Sequence, residues 1–277
     1  AALSVILTQS VPSTSGGTGG SAAGNGTSGG GGQGQGGVEV EEDCDLIMEI
    51  KCDPQGYVKS LNLRSMLSLP QEVLSLVRLQ SLSLASTTIP PIRMPSIPSI
   101  IGQLTSLTSL QISNAVAGGS FPASLSRLKQ LKSLSLGGTT LSGTIPHFFS
   151  CLSSLTRLEL ARVGLSSSLP AGFSRLTNLI MLILPGNNLT GSLAPLVGMK
   201  RLQHLIGIHN RFSGSIPSTI SRLADLSTMD LSHNSISGSL PSTMGKLRLL
   251  RSMRVDNNSI TGSIPLSFSS LTSLLLL

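Results

Sequence analysis

The sequence predicts an α/β solenoid that is mostly β, with a parallel sheet on its concave side and short 3₁₀ turns on its convex side. Three observations carry this expectation. One apolar pattern recurs nine times from Val58 to the C-terminus, at intervals that are mostly 24 residues. In each copy the first, fourth and sixth residues are apolar, as in Leu131, Leu134 and Leu136, save for Gly207 at the sixth place of the seventh copy. A Gly-x-Ile/Leu-Pro segment then recurs, as in Gly143-Thr-Ile145-Pro146 and Gly238-Ser-Leu240-Pro241. A repeat of this length marks a stack in which no unit buries its apolar side without a neighbour.

Residues 1–37 are a Gly/Ser-rich, low-complexity segment that cannot build a core and is expected to be a disordered linker. Its glycines are not a phosphate loop, since no Lys-Ser/Thr follows and no strand precedes. Residues 38–57 begin acidic, carry Cys44 and Cys52, and are expected to cap the first coil. Residues 58–277 are the array, with units starting at Val58, Leu79, Leu107, Leu131, Leu155, Leu179, Leu202, Leu226 and Leu250. Leu274 begins a tenth unit that is cut short, so the chain reads as a fragment or as an incomplete gene model.

Within a unit, apolar alternation over the first six residues predicts a short strand with one face buried. The ninth position holds Asn187, Asn210, Asn234 and Asn258 in the later units, and Met66, Thr87, Ala115, Thr139 and Val163 in the earlier ones. An inward Asn can satisfy backbone groups that the turn would otherwise bury unpaired. The earlier half is therefore expected to be the less rigid. Gly143, Gly191, Gly214, Gly238 and Gly262 permit the turn away from the sheet. The rest of each unit is long enough only for a turn or a short 3₁₀ helix. The insertion Ile89-Pro-Pro-Ile-Arg-Met-Pro95 is expected to bulge from this side.

Composition narrows the function. Aromatic content is 3% and Trp is absent, so the core should be aliphatic. Net charge is +7, with Arg127, Arg175, Arg222 and Lys246 each four residues before a unit start. Such a row is either a solvated rim or a patch that attracts acidic cell-wall polysaccharide or an acidic protein. One Tyr and six Phe offer no stacking platform for nucleic acid. No apolar run is long enough to span a membrane. Cys44 and Cys52 are expected to form a disulfide in an oxidising compartment, with two free thiols as the alternative. Cys151 reads as a partly exposed lone thiol, with pairing to a partner outside this chain as the alternative.

The pattern LxxLxLxxNxLSGxIP resembles the plant-type extracellular leucine-rich repeat over residues 58–277. The segment from Cys44 to Val58 also resembles that family's N-terminal cap. It differs in having Leu46 where the cap usually has Trp, and in a cysteine spacing one residue longer. The family includes ectodomains of receptor-like kinases, receptor-like proteins, and secreted inhibitors of cell-wall-degrading hydrolases. The resemblance implies a non-catalytic module, without cofactor, that binds a protein or peptide on its concave side. A co-receptor is among the partners it implies. It also implies an extracellular or cell-surface location and a role in signalling or defence, with a hydrolase inhibitor as the alternative.

The residues between buried strand positions face outward on the concave sheet. The first units offer Ser60, Asn62, Ser81, Ser83, Ser109, Gln111, Ser133 and Ser135, a featureless polar surface. Later units offer Arg157, Glu159 and Arg162, then Met181, Ile183, His204, Ile206, Ile208 and His209, then Asp230, His233, Arg254 and Asp256. An apolar island of Met181, Ile183, Ile206 and Ile208 rimmed by charge is the expected interface. That reading requires Gly207 to face inward. His209 and His233 occupy one position on successive coils and should lie about 5 Å apart. Asp230, Ser232 and His233 are repeat material and not a catalytic triad. Asn25, Asn188 and Asn257 head glycosylation sequons, of which Asn188 and Asn257 should be exposed.

Overall fold

A computed structural model describes residues 48–64, 69, 71–85, 93–94, 96–113, 116–117 and 119–276. Cys44 and Asn25 lie outside these residues, as do residues 1–37 and most of the insertion at 89–95. Only Arg93–Met94 of the insertion is described, as a two-residue strand paired in parallel with Val116–Ala117.

Ten strands form the concave sheet in chain order. Met48–Cys52 runs antiparallel to Val58–Arg64, and each later strand lies parallel to the one before. The hairpin forms because Asp53-Pro-Gln-Gly56 has Pro and Gly where a tight turn wants them. The Gly56 amide bonds the Asp53 carbonyl at 2.9 Å, and Asp53 Oδ1 accepts from the Gln55 and Tyr57 amides. From there the register is one-for-one: Leu110, Leu134, Leu158, Leu182, Leu205 and Met229 lie side by side. Leu134, Leu158 and Leu182 are fully buried. A period of two then sends their neighbours out to the concave face.

The Ser-Gly segments do more than turn the chain. Ser166–Ser168, Asn188–Gly191, Arg211–Gly214, Ser235–Gly238 and Ser259–Ile260 form a second, five-stranded parallel sheet beside the first. The sequence pattern predicts only a turn here. The lateral strands are staggered, so that Ser168 pairs with Thr190, and Thr190 in turn with Arg211.

Asparagine joins the two sheets. Asn187 Oδ1 accepts the Val163 and Leu165 amides of the previous coil at 3.1 Å each. Its Nδ2 donates to the Leu160 and Leu184 carbonyls at 2.7 and 3.0 Å. Asn210, Asn234 and Asn258 repeat the arrangement with one amide each on Oδ1, from Leu189, Phe212 and Ile236. Thr139, at the same position, gives a single bond to the Leu136 carbonyl at 3.0 Å.

The convex side is a stack of five-residue 3₁₀ helices, among them Ala123–Arg127, His147–Cys151, Ala171–Arg175, Ala194–Gly198, Ser218–Arg222 and Ser242–Lys246. Proline just before the helix fixes φ at the cap of most of them. The core is mainly aliphatic, but a seam of buried Phe121, Phe149 and Phe173 runs beneath these helices. Ring centroids lie 5.2 and 6.5 Å apart along it. The low aromatic content concealed this seam: four of the six Phe are buried, Phe212 being the fourth.

Candidate concave binding face

One-for-one register turns each outward strand position into a row along the concave sheet. One row reads Arg157, Met181, His204, Thr228, Ser252, and the next reads Glu159, Ile183, Ile206, Asp230, Arg254. Ile183 therefore sits directly beside Ile206, with Glu159 and Asp230 as the outer neighbours of the pair. Met181, Ile183, His204, Ile206 and Ile208 are half-buried.

Gly207 is buried, so Ile206 and Ile208 face the concave side. Space explains the glycine. A Cβ there would lie 3.1 Å from Leu231 Cδ2 and 3.2 Å from Phe212 Cε2. Phe212, where most units have Leu or Ile, fills the volume that a strand leucine would take.

Charge borders the apolar strip on both sides. Arg157 pairs with Glu159 at 2.7 Å, and its other terminal nitrogen lies 3.1 Å from Met181 Sδ. At the opposite border Arg254 lies 3.8 Å from Asp230 and 3.6 Å from Asp256. Both pairs are partly open to water, where such contacts contribute little stability but fix side-chain positions.

A residue of positive φ follows each of the later concave strands. Gly138, Arg162, Gly186, His209, His233 and Asn257 occupy this place, with φ between 53° and 70°. The left-handed bend carries these side chains to the edge of the concave face. His209 and His233 stack there with ring centroids 4.3 Å apart. His233 Nε2 lies 3.2 Å from Asn257 Nδ2. Ser232 gives its hydroxyl proton to Asp230 Oδ1 at 2.6 Å, and the His233 ring lies against His209. No proton relay links the three residues.

An open trough of about 730 Å³ lies on the N-terminal flank of the apolar strip. Arg157, Glu159, Ile208 and His209 line it, together with Ser109, Gln111, Ser113, Ser133, Ser135, Gly137, Gly138, Ala161, Arg162, Pro185 and Gly186. Met181, Ile183, His204, Ile206, Asp230, His233 and Arg254 lie beyond its lining. Of the early polar positions, Ser109, Gln111, Ser133 and Ser135 thus belong to the hollow, and Ser60, Asn62, Ser81 and Ser83 do not. Gly137, Gly138 and Gly186 bring no side chain into this space. Arg162 fills part of the space so opened, its Cγ lying 2.9 Å from where a Gly186 Cβ would stand.

Asn188 and Asn257 are placed on the surface, Asn188 exposed on the lateral sheet and Asn257 at the concave edge. Cys151 is exposed at the end of its 3₁₀ helix, and Cys52 is exposed where the first strand ends. Among the described residues no helix is long and apolar enough to cross a membrane.

A family model described as Leucine Rich Repeat matches residues 130–152, 225–247 and 249–271. No curated protein sequence matches the chain. Among solved structures it is similar to the ectodomain of the plant membrane receptor kinase GASSHO1/SCHENGEN3 from Arabidopsis thaliana, in complex with Casparian strip integrity factor 2. That likeness has 28% identity, 75% of this chain, 30% of that one and a TM-score of 0.65. The Arabidopsis receptor kinase HAESA, in complex with the peptide hormone IDA and the co-receptor SERK1, is similar at 26% identity. It covers 82% of this chain and 47% of that one, with a TM-score of 0.66. A plant ice-binding protein is similar at 31% identity, over 76% of this chain and 67% of that one, with a TM-score of 0.64. The chain spans less than half the length of the two receptor chains.

Proposed function

The chain is a plant-type leucine-rich-repeat protein, and from that premise we propose that its concave sheet docks a protein or peptide as part of an extracellular receptor-like protein or receptor-like kinase. The observation that carries this reading is the continuity of two features on one face. The open trough ends where the Ile183–Ile206 strip begins, and ion-paired Arg157 and Arg254 flank that strip. An extended segment laid across the strands meets hydroxyl and amide groups in the trough, then an apolar patch for one anchoring side chain. Interfaces concentrate their energy in such central anchors. The similar HAESA structure holds the peptide hormone IDA, which supports a peptide occupant here.

The test is a displayed library of extended peptides panned against the chain, followed by titration of the enriched peptides. Ile183→Asp and Ile206→Asp should each weaken binding about tenfold or more while leaving the melting temperature within a few degrees. Binding that ignores both substitutions would remove the concave face from consideration. In the alternative reading the same face docks onto a wall-degrading hydrolase. A hydrolase assay that shows inhibition by the chain, relieved by the same two substitutions, decides for it.

A further inference from the structure

A second surface stands apart from the concave face. The chain leaves the concave sheet through the lateral sheet, crosses the convex helices, and returns along the opposite rim. The last residues of successive helices line that rim, and Arg127, Arg175, Arg222 and Lys246 are four of them. Cys151 and Gly198 interrupt this row. Lys129 closes the first gap, its Nζ lying 3.4 Å from the Cys151 carbonyl, and Lys200 follows two residues after Gly198. Every coil from Arg127 to Lys246 thus contributes a cation to this rim except that of Cys151, which Lys129 reaches from the coil before.

The row is one of several. Lys129, Lys200 and Arg248 share the position two residues past the helix, and Lys132 and Arg251 precede their concave strands. All of these side chains are exposed. Among the described residues none of them makes an ion pair, and between residues 119 and 276 Asp225 is the one carboxylate on this rim. Like charges at neighbouring coils repel, so the rim is under electrostatic stress that a polyanion would relieve.

The rim is also rigid and in register. Each coil's amide bonds the equivalent carbonyl of the coil before: Thr156 to Lys132 at 2.8 Å, Ile180 to Thr156 at 2.8 Å, and so on to Arg251 and Ser227 at 2.8 Å. The cations thus repeat at the coil pitch, about 4.8 Å. Ser153 and Thr177, both exposed, stand in the same row as Lys129 and Lys200. No aromatic side chain joins these rows for base stacking.

We propose that this rim binds a linear polyuronate, a polysaccharide with one carboxylate per sugar ring, laid along the solenoid axis. The ring repeat of such a chain is of the order of one coil, so successive carboxylates meet successive coils. The interleaved hydroxyls suit its sugar hydroxyls. The proposal does not depend on what the concave face holds.

The test uses the full chain and immobilised polygalacturonate, with the fully methyl-esterified polymer as the uncharged control. The expected result is binding to the acid polymer alone, weakening steeply as NaCl rises. The triple variant Arg175→Glu/Arg222→Glu/Lys246→Glu should bind at least roughly tenfold more weakly, with a shallower salt slope. Arg211→Glu, on the lateral sheet, should bind as the parent does. Unchanged circular dichroism confirms that the triple variant is folded; should it fail to fold, Lys129→Gln/Lys132→Gln supplies the same reading at smaller loss. Equal binding to the esterified polymer, or indifference to the rim substitutions, overturns the proposal. So does tighter binding to duplex DNA or to phosphatidylserine vesicles than to polygalacturonate.

Discussion

Replacing Asn187 by Ala should cost about 3–5 kcal/mol, far more than the loss of an exposed polar side chain. Asn187 is 7% exposed and serves two coils. Its removal strands the Val163 and Leu165 amides, which meet Oδ1 at 3.1 Å, and the Leu160 carbonyl, which accepts from Nδ2 at 2.7 Å. The Leu184 carbonyl is spared, because Asn210 also donates to it at 2.9 Å. Three orphaned groups at about 1–3 kcal/mol each, less what water recovers at the coil edge, give the figure. With a urea m-value of about 3 kcal/mol/M, the unfolding midpoint falls by roughly 1–1.7 M at constant m. Hydrogen exchange at the Val163 and Leu165 amides should quicken selectively. Asn178→Ala is the control, since exposed Asn178 donates to the Ser153 carbonyl at 3.0 Å and accepts from exposed Arg201 at 3.4 Å, and should change stability by under about 0.5 kcal/mol. A midpoint shift no larger than that of Asn178→Ala would refute the argument that the asparagine ladder carries the coil-to-coil connection.

Three further outcomes follow from single positions. Ser167 holds φ 83° where other units place glycine, so Ser167→Gly should be neutral to stabilising by about 1 kcal/mol, read as a rise in melting temperature. Gly207→Leu restores the repeat pattern yet should destabilise by about 2–3 kcal/mol, because Phe212 and Leu231 already occupy the site; thermal unfolding measures it. Burial raises the pKa of Asp53, but the Tyr57 and Gln55 amides and Lys59 outweigh it and hold the carboxyl below its usual value. Its contribution is therefore present above the usual carboxylate range and lost as pH falls through the native value, so Asp53→Asn should flatten the acid limb of an unfolding curve measured against pH.

Position within the repeat decided what the sequence could show. Leu134, Leu158 and Leu182 announced a buried, in-register strand stack because their spacing admits no other common face. Asn187 and its successors announced the ladder because only an amide both accepts and donates at a buried turn. The lateral sheet was hidden, since Ser166-Ser-Ser168 and Ser235-Ile-Ser-Gly238 have weak strand preference and pair only because the asparagines hold their coils together. The trough was hidden for a related reason. It is made by missing side chains at Gly137, Gly138 and Gly186, and a hollow leaves no hydrophobic or charged signature. Met181, Ile183, Ile206 and Ile208 were legible as an outward strip once Gly207 was placed inward. The physical cause of that placement is the Phe212 ring, which folds back from the lateral strand into the space beside Gly207. No linear pattern relates those two residues, so the cause required the three-dimensional contact.

Stacking converts each sequence position into a row about 4.8 Å per step, and this separates the duties of one short repeat. The first, fourth and sixth positions are spent on the core, so they cannot distinguish one ligand from another. The positions between them face the concave side, where polar rows in the early units give way to Arg157, Met181, Ile183 and Ile206. The residues after each 3₁₀ helix face the opposite rim, where basic side chains recur with a single carboxylate among them between residues 119 and 276. A substitution of an outward side chain in one row leaves the coil-to-coil hydrogen bonds in place, because main-chain atoms make them, as between the Thr156 amide and the Lys132 carbonyl. The concave face and the rim can therefore change sequence independently. One chain can hold a peptide on one side and a polyanion on the other without either surface costing the other its geometry.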